Sequence, residues 1–289
     1  VMDAQQAAAV SALGAAYAAR QRTLVANFVA ELVSLIRQVF RPDDPAGSWD
    51  ATQLAVSALV QRYHRTSATM GARYYLDARR ASGVAGARRA GPLPRIEDMT
   101  DDQVWDELGR IAGVGPEDLD EERIDATVRA TGIASYQRSI RAGRSPQRAA
   151  DTMTTTLAGA TQELAVEGGR RVVHDAAAAD EEAVGWVRIA RPGACWWCAM
   201  LASRGAVYRS AATAGRRVNK RFVGDGMFKF HNHCQCVARP IFDADDPAVR
   251  TADDLYEQWR RVTAGRSGRA AMQAWAEYWG TVDDQTLAG

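Results

Sequence analysis

All four cysteines of this 289-residue chain fall between positions 195 and 236, as Cys195-Trp-Trp-Cys198 and then His231-Asn-His233-Cys234-Gln-Cys236. A Cys-x-x-Cys pair brings two thiolates to one side of an ion, and zinc completes its tetrahedron with two more soft or borderline donors. The second run can supply them. Cys195, Cys198, His231, Cys234 and Cys236 are the leading ligand candidates, with His233 a sixth, and the residues alone leave open which four are used. Disulfides are the competing arrangement, but Cys234 and Cys236 stand too close for a relaxed bridge and a reducing cytoplasm would keep the thiols reduced. Thiolate-rich sites are usually closed rather than catalytic, so the expected cofactor is a structural Zn2+.

Charge is distributed unevenly about this cluster. The whole chain balances 36 basic against 35 acidic residues. From Trp186 to Phe242, however, Arg188, Arg191, Arg204, Arg209, Arg216, Arg217, Lys220, Arg221, Lys229 and Arg239 are opposed only by Asp225, so the segment carries a large positive excess in a chain of net +1. Such a segment attracts a polyanion or an acidic protein surface, with a strength that falls as salt rises. A solvated face balanced by the chain's own acidic helices is the plainer alternative. Arg204, Arg209, Arg216, Arg217, Lys220, Arg221 and Lys229 form the candidate partner-facing patch.

The rest of the chain reads as helix. Val10, Leu13, Tyr17, Leu24, Phe28, Leu32, Ile36 and Val39 recur at steps of three, four and seven, which marks one face of a helix from about Asp3 to Phe40. Two prolines and Gly47 between Arg41 and Gly47 predict a break. A second helix is expected over 50–82, antiparallel to the first, with Val56, Val60, Tyr63, Met70 and Tyr74 inward. Residues 83–94 read as a connection. Thr100 and Gln103 predict a capping box, a helix is expected over 116–141, and Ser145-Pro146 starts another that runs to about Ala179. At Val184 the pattern changes to short strands, over 184–189 and 236–242, with weaker ones at 207–208 and 227–230. The loop 210–226 is expected to be mobile. Beyond Asp243, Thr251 is read as capping a helix with Leu255, Trp259 and Val262, and a last helix carries Met272, Trp275 and Trp279, with these tryptophans expected to dock on the helical body.

The expected fold class is therefore mostly α: an extended helical N-terminal body, a small zinc-stapled α+β module and a helical C-terminal tail. Its parts are a helical hairpin (1–92), a second helical region (93–183), the Cys/His module (184–243) and the tail (244–289). No run of 18 or more apolar residues occurs, so no membrane partner is expected. No H-E-x-x-H, G-x-S-x-G or phosphate-loop pattern is present, and no H-x-E precedes the Cys-x-x-Cys pair as a zinc deaminase requires. Ser203, beside Arg204-Gly205, reads as part of a turn. A metal-dependent nuclease, which would use the basic segment and a spare histidine, is one enzymatic alternative.

The segment from Arg188 through Cys195-Trp-Trp-Cys198 and Leu201-Ala-Ser-Arg-Gly205 to Tyr208, followed by Phe230-His-Asn-His-Cys-Gln-Cys-Val-Ala-Arg-Pro-Ile-Phe242, resembles the C-terminal signature of tailed-phage head morphogenesis proteins. The family is that of the phage Mu F-like minor head proteins, in the form found in phages of actinobacteria. The likeness is carried by 185–243, and the helical part agrees in general character. It implies a minor capsid protein, assembled in the host bacterial cytoplasm and present in few copies in the phage head interior of the virion. The implied partners are the portal protein, the major capsid or scaffold protein, and packaged DNA, with the helical part toward portal or scaffold and the basic module toward DNA. Similar proteins are often labelled capsid maturation proteases, which makes protease the leading enzymatic alternative, although no catalytic triad is legible here. His233 departs from the general family pattern.

Overall fold

The computed structural model describes residues 2–84, 95–190, 193–208 and 236–280. Over these the chain is mostly helical with one small sheet. Helix α1 (Ala4–Val39) opens with a capping box between Asp3 and Gln6 and buries Val10, Tyr17, Leu24, Phe28, Leu32 and Ile36, the face that its periodicity predicts. Helix α2 (Pro45–Ala81) runs back along it: Tyr17 stacks on Tyr74 at 4.4 Å, Gln21 meets Ser67, and Glu31 pairs with Arg62. The expected break over 41–47 is shorter than its prolines suggest. Pro45 occupies the first turn of α2, where its missing N–H costs nothing, and the Asp44 carboxylate accepts from the Gly47 N–H.

A short 3-10 turn (Ile96–Asp98) leads to α3 (Asp101–Ala112), which the Thr100–Gln103 capping box starts as expected. The single helix expected over 116–141 is instead two, α4 (Glu121–Thr131) and α5 (Ile133–Arg141). Asp120 caps the first, and the chain turns at Gly132, where any Cβ would collide with the Trp49 ring. Helix α6 (Pro146–Ala179) is the axis of the body and packs against α1, α2, α3, α4 and α5. Its many Ala and Gly residues let those neighbours approach closely.

The body has two apolar cores with a polar layer between them. One core gathers Phe28, Leu32, Trp49, Val56, Val128, Met153 and Leu157; the other gathers Tyr17, Tyr74, Tyr75, Leu108, Val173 and Ala176 and extends to Trp186, Val237 and Ala238. Between them, the Gln21 amide donates to Tyr17 Oη, Ser67 Oγ donates to Gln21 Oε1, the Gly169 N–H donates to Ser67 Oγ, and His64 Nδ1 bonds the Leu164 carbonyl at 2.9 Å. Buried polar groups are tolerated here because they are hydrogen-bonded. Glu167 is 6 % exposed and accepts from Arg123 and Arg171.

This layer makes stability sensitive to acid. Burial pushes the His64 pKa below its usual value, against the pull of its bond to Leu164. The folded chain therefore keeps His64 neutral, whereas the unfolded chain protonates it near pH 6.5, so this contribution is intact above about 6.5 and is lost as pH falls below it. For Glu167, burial alone would raise the carboxyl pKa, but the hydrogen bonds from Arg123 and Arg171 outweigh it and hold it below the usual range. That second contribution begins to fall only below about pH 4.3. Urea unfolding at pH 7.5 and 5.5 is expected to show a lower midpoint at the acid value, and His64→Gln is expected to remove most of the difference.

After α6, β1 (Gly185–Ile189) pairs antiparallel with β2 (Val207–Tyr208) on one side and β3 (Val237–Ile241) on the other. Helix α7 (Trp196–Ala202) lies between β1 and β2 in sequence. The weak strand read at 227–230, the connection at 85–94 and the loop 210–226 lie outside the described residues. Helix α8 (Pro247–Val262) begins at an Asp246 cap, so Thr251 is inside the helix, donating to the Pro247 carbonyl, rather than capping it. Helix α9 (Gly268–Trp279) closes the described chain. Trp259 and Trp275 pack on α7 instead of on the helical body, because α7 presents Ala199, Met200 and Leu201 to them. Among the described residues no helix is long and apolar enough to cross a membrane.

The sheet is covered on both sides. Trp186, Val237 and Ala238 belong to the core of the helical body, whereas Val187, Ile241, Ala206 and Val249 form a cluster with α8. The apolar core thus continues without a gap across position 184.

Candidate metal centre

The Cys-x-x-Cys pair does not lie in a bare turn. Cys195 is the N-cap residue of α7, in extended conformation, and its carbonyl accepts the Ala199 N–H at 3.1 Å. Cys195 is exposed, while Cys198, within the helix, and Cys236, at the mouth of β3, are buried. Cys198 and Cys236 belong to one buried cluster with Ala190, Ala194, Ala202 and Leu255. No disulfide joins Cys195, Cys198 and Cys236 to one another. Cys198 and Cys236, far apart in sequence, thus share one cluster, to which Cys195 does not belong.

Each side of the site is anchored. Arg170 Nε on α6 donates to the Cys236 carbonyl at 3.1 Å, which ties the entry of β3 to the helical body. Three residues further along the chain, Arg239 donates to Asp246 at 2.8 Å and to Ser11 Oγ at 3.3 Å, with both members of the ion pair almost fully buried. The Trp279 indole N–H donates to the Ala194 carbonyl and the Trp275 indole N–H to the Trp196 carbonyl.

His231, His233 and Cys234 lie outside the described residues, as do Arg209, Arg216, Arg217, Lys220, Arg221 and Lys229 of the basic patch. Among the described residues no group of three or more His, Cys, Asp or Glu side chains converges as a metal site. Arg204 is described and half-buried; burial and the neighbouring Arg188 guanidinium lower its pKa. Arg188 and Arg239 are 2 % and 6 % exposed, so two of the cations counted in the basic segment are internal and do not face a partner. Both sit on strands covered on two faces, which a count of charge along the sequence cannot reveal.

Ser203 is 2 % exposed and its hydroxyl donates to the Met200 carbonyl at 2.7 Å. It closes the last turn of α7, and Gly205 turns the chain next with φ +84°. A hydroxyl so placed is a helix-end device and not a presented nucleophile. Sequence reasoning missed the two indole donors, although tryptophans four residues apart on α9 signalled a shared face, and it missed Arg170, whose helical position gave no hint of a partner at residue 236.

With this geometry in hand, the chain's relations become informative. A family model described as VG15 protein matches residues 8–262, from the first helix through α8. The chain belongs to the VG15 protein family. As a VG15 protein it is similar to the "Gene 15 protein" of Mycobacterium phage D29, at 23% identity over 264 residues, 84% of this chain and 83% of that one. The level that these relations establish is a bacteriophage protein family. The VG15 match takes in the helical body as well as residues 185–243. Helix α9 lies beyond the residues that the VG15 model matches. No solved structure matches the chain.

Proposed function

We propose that this VG15 protein is a minor capsid protein of a tailed bacteriophage that acts by binding, at the portal and the interior of the head, during procapsid assembly and DNA packaging. The observation that carries the reading is the way in which the thiol-bearing module is fixed to the helical body. Arg170 holds the Cys236 carbonyl, the Arg239–Asp246 pair reaches Ser11, and one apolar core runs from α1 to β3. A rigid two-part body suits a part that bridges two partners. The phage relative supports a bacteriophage family, and the finer, Mu F-like assignment rests on the order Cys-x-x-Cys, Leu-Ala-Ser-Arg-Gly, His-x-x-Cys-x-Cys in the sequence alone.

In this reading Cys195, Cys198 and Cys234, with Cys236 or His231 next and His233 last, hold a structural Zn2+. Thiolates and imidazoles suit zinc by their chemistry; of the described thiols, Cys198 and Cys236 are buried in one apolar cluster and Cys195 is exposed. Bound zinc would supply on the order of 10 kcal/mol of folding free energy, beyond the apolar core that this segment shares with the helical body. The helical body is the portal- or scaffold-facing part, and Arg204, Arg209, Arg216, Arg217, Lys220, Arg221 and Lys229 face packaged DNA or an acidic portal surface.

Co-expression with the portal and major capsid proteins of a phage that encodes a VG15 protein tests this. The chain is expected to sediment with assembled particles and to be lost from them when the portal gene is omitted. A chain that stays soluble in both cases contradicts the proposal. Cleavage of the major capsid protein that disappears in Ser203→Ala, with the fold intact, would establish the protease reading in its place.

A further inference from the structure

A second basic surface lies on the helical body itself, at the end of α6 remote from the cysteines. Between Asp125 and Asp151 the chain has no acidic residue and five arginines, Arg129, Arg138, Arg141, Arg144 and Arg148. All five are exposed, unlike Arg188 and Arg239 of the module. Among the described residues none of the five enters an ion pair: Arg138 donates to the Ala130 carbonyl and Arg144 to Thr152 Oγ1, both neutral acceptors. The next acid along the chain, Asp151, accepts from Gln147.

A fixed turn carries these arginines. Helix α5 ends as the Gly143 N–H donates to the Ile140 carbonyl at 2.9 Å and the Arg144 N–H to the Ser139 carbonyl at 3.1 Å, with Gly143 at φ +77°. Ser145 then caps α6, its hydroxyl accepting the Arg148 N–H at 3.4 Å. Beneath the turn, Tyr136 is buried, packs on Phe40 at 5.3 Å and donates to the Pro42 carbonyl at 2.7 Å. Arg141, Arg144 and Arg148 are thus gathered around the start of α6, whose positive dipole end adds to their field.

We propose that the α5–α6 turn is a contact for the phosphate backbone of double-stranded nucleic acid, made without regard to base sequence. The chemistry of the surface favours that partner. Beside the arginines stand exposed Gln137, Ser145 and Gln147, so the turn offers guanidinium, amide and hydroxyl groups, the side chains that bind phosphate oxygens. A protein interface would need an apolar or aromatic centre, and Ile140, 38 % exposed, is the one large apolar side chain exposed there among the described residues. Single strands are held by stacking on aromatic rings, and Tyr136, the aromatic residue of α5, is buried. Neither the zinc nor the portal assignment is needed for this contact. Helix α6, at the rise of an α-helix, sets it roughly 50 Å from β1.

Fluorescence anisotropy of a short labelled duplex, titrated with the purified full chain at several salt concentrations, provides the test. The wild type is expected to bind two duplexes of unrelated sequence equally. Arg141→Gln, Arg144→Gln and Arg148→Gln combined are expected to weaken binding more than about tenfold and to reduce the log–log salt slope by about three, one for each lost phosphate contact. Arg261→Gln, Arg266→Gln and Arg269→Gln combined remove the same exposed charge near α9, beyond a Debye length from the turn, and are expected to leave affinity within about twofold of wild type. Circular dichroism reads folding, and Arg141→Gln with Arg148→Gln, which breaks no hydrogen bond among the described residues, serves if the triple variant at the turn folds poorly.

Unchanged affinity in a folded turn variant overturns the proposal, and so does an absence of binding by the wild type. An equal loss in the α9 control overturns it too, since attraction would then follow net charge alone. Loss of the chain from assembled particles in a turn variant whose duplex affinity is unchanged would place an acidic protein at the turn instead. If the wild type fails to sediment with particles while the turn variants lose duplex affinity, the capsid reading fails and this contact stands.

Discussion

Replacing Gly168 by alanine is expected to cost the protein about 2–4 kcal/mol, the sum of overpacking and disturbed buried hydrogen bonds, and valine there is expected to prevent folding. The cause is the crossing of α2 and α6, whose backbones touch. A Cβ at Gly168 would strike the His64 carbonyl, and one at Gly169 would lie 2.6 Å from the Ser67 carbonyl and 2.7 Å from the Gln21 amide. From the other side, a Cβ at Gly71 would lie 2.6 Å from the Gly169 carbonyl. These neighbours are backbone and buried polar groups, which have nowhere to move. Separating the helices to make room would also break the bonds of His64 to Leu164 and of Gly169 to Ser67, the polar layer between the two cores. Gly113 supplies the contrast. It caps α3 at φ +66° with no atom within 4 Å of a built Cβ, so Gly113→Ala is expected to cost only about 1–2 kcal/mol, for the left-handed backbone. Urea unfolding of both variants gives the comparison, and equal losses would contradict this account of the crossing.

Asp180→Ala is expected to remove about 3–5 kcal/mol. Asp180 ends α6 and is 2 % exposed. It accepts from Arg79 Nε at 2.7 Å and from the Tyr75 hydroxyl at 2.9 Å, both on α2, and from the Glu182 N–H at 3.1 Å. A single carboxylate thus joins the end of α2, the end of α6 and the turn into β1. Its removal leaves a buried guanidinium without its main counter-charge and the Tyr75 hydroxyl with the longer bond to the Ala176 carbonyl, at 3.2 Å, whereas the exposed Arg41–Asp44 pair is expected to be worth well under about 1 kcal/mol. Denaturant midpoints for Asp180→Ala and Asp44→Ala are the wrong comparison for the pair alone, since Asp44 also caps α2; Arg41→Ala is the proper surface control. A loss below about 1 kcal/mol in Asp180→Ala would show that the junction is held by packing instead.

The long helices were legible because periodicity and caps act locally. The buried face of α1 follows from the spacing of Val10, Tyr17, Phe28 and Ile36, and α6 begins at Ser145-Pro146 as its sequence predicts. What depends on distant neighbours was not legible. At the break, residue 132 must be glycine because Trp49 fills the place of a side chain, and nothing near residue 132 encodes that ring. At α8 the Asp246-Pro247 start outcompetes Thr251, a signal that was present in the sequence but read too late along the chain. The thiol site was half legible: spacing drew attention to Cys195, Cys198 and Cys236, but their unequal burial and the hold of Trp275, Trp279 and Arg170 arise only from packing. Arg188 and Arg239 carried the opposite lesson, since charge in a covered strand is internal structure and not surface.

The proposed function turns on a structural ion held by the thiols of the module. Metal content by plasma mass spectrometry, on protein purified without added metal, addresses it most directly when paired with thermal melting in the presence and absence of a chelator. The account predicts stoichiometric zinc and a melting transition that chelator lowers, as expected when metal binding contributes folding free energy. Protein without metal, whose four cysteines all react with a thiol reagent while the melting temperature ignores chelator, would contradict it.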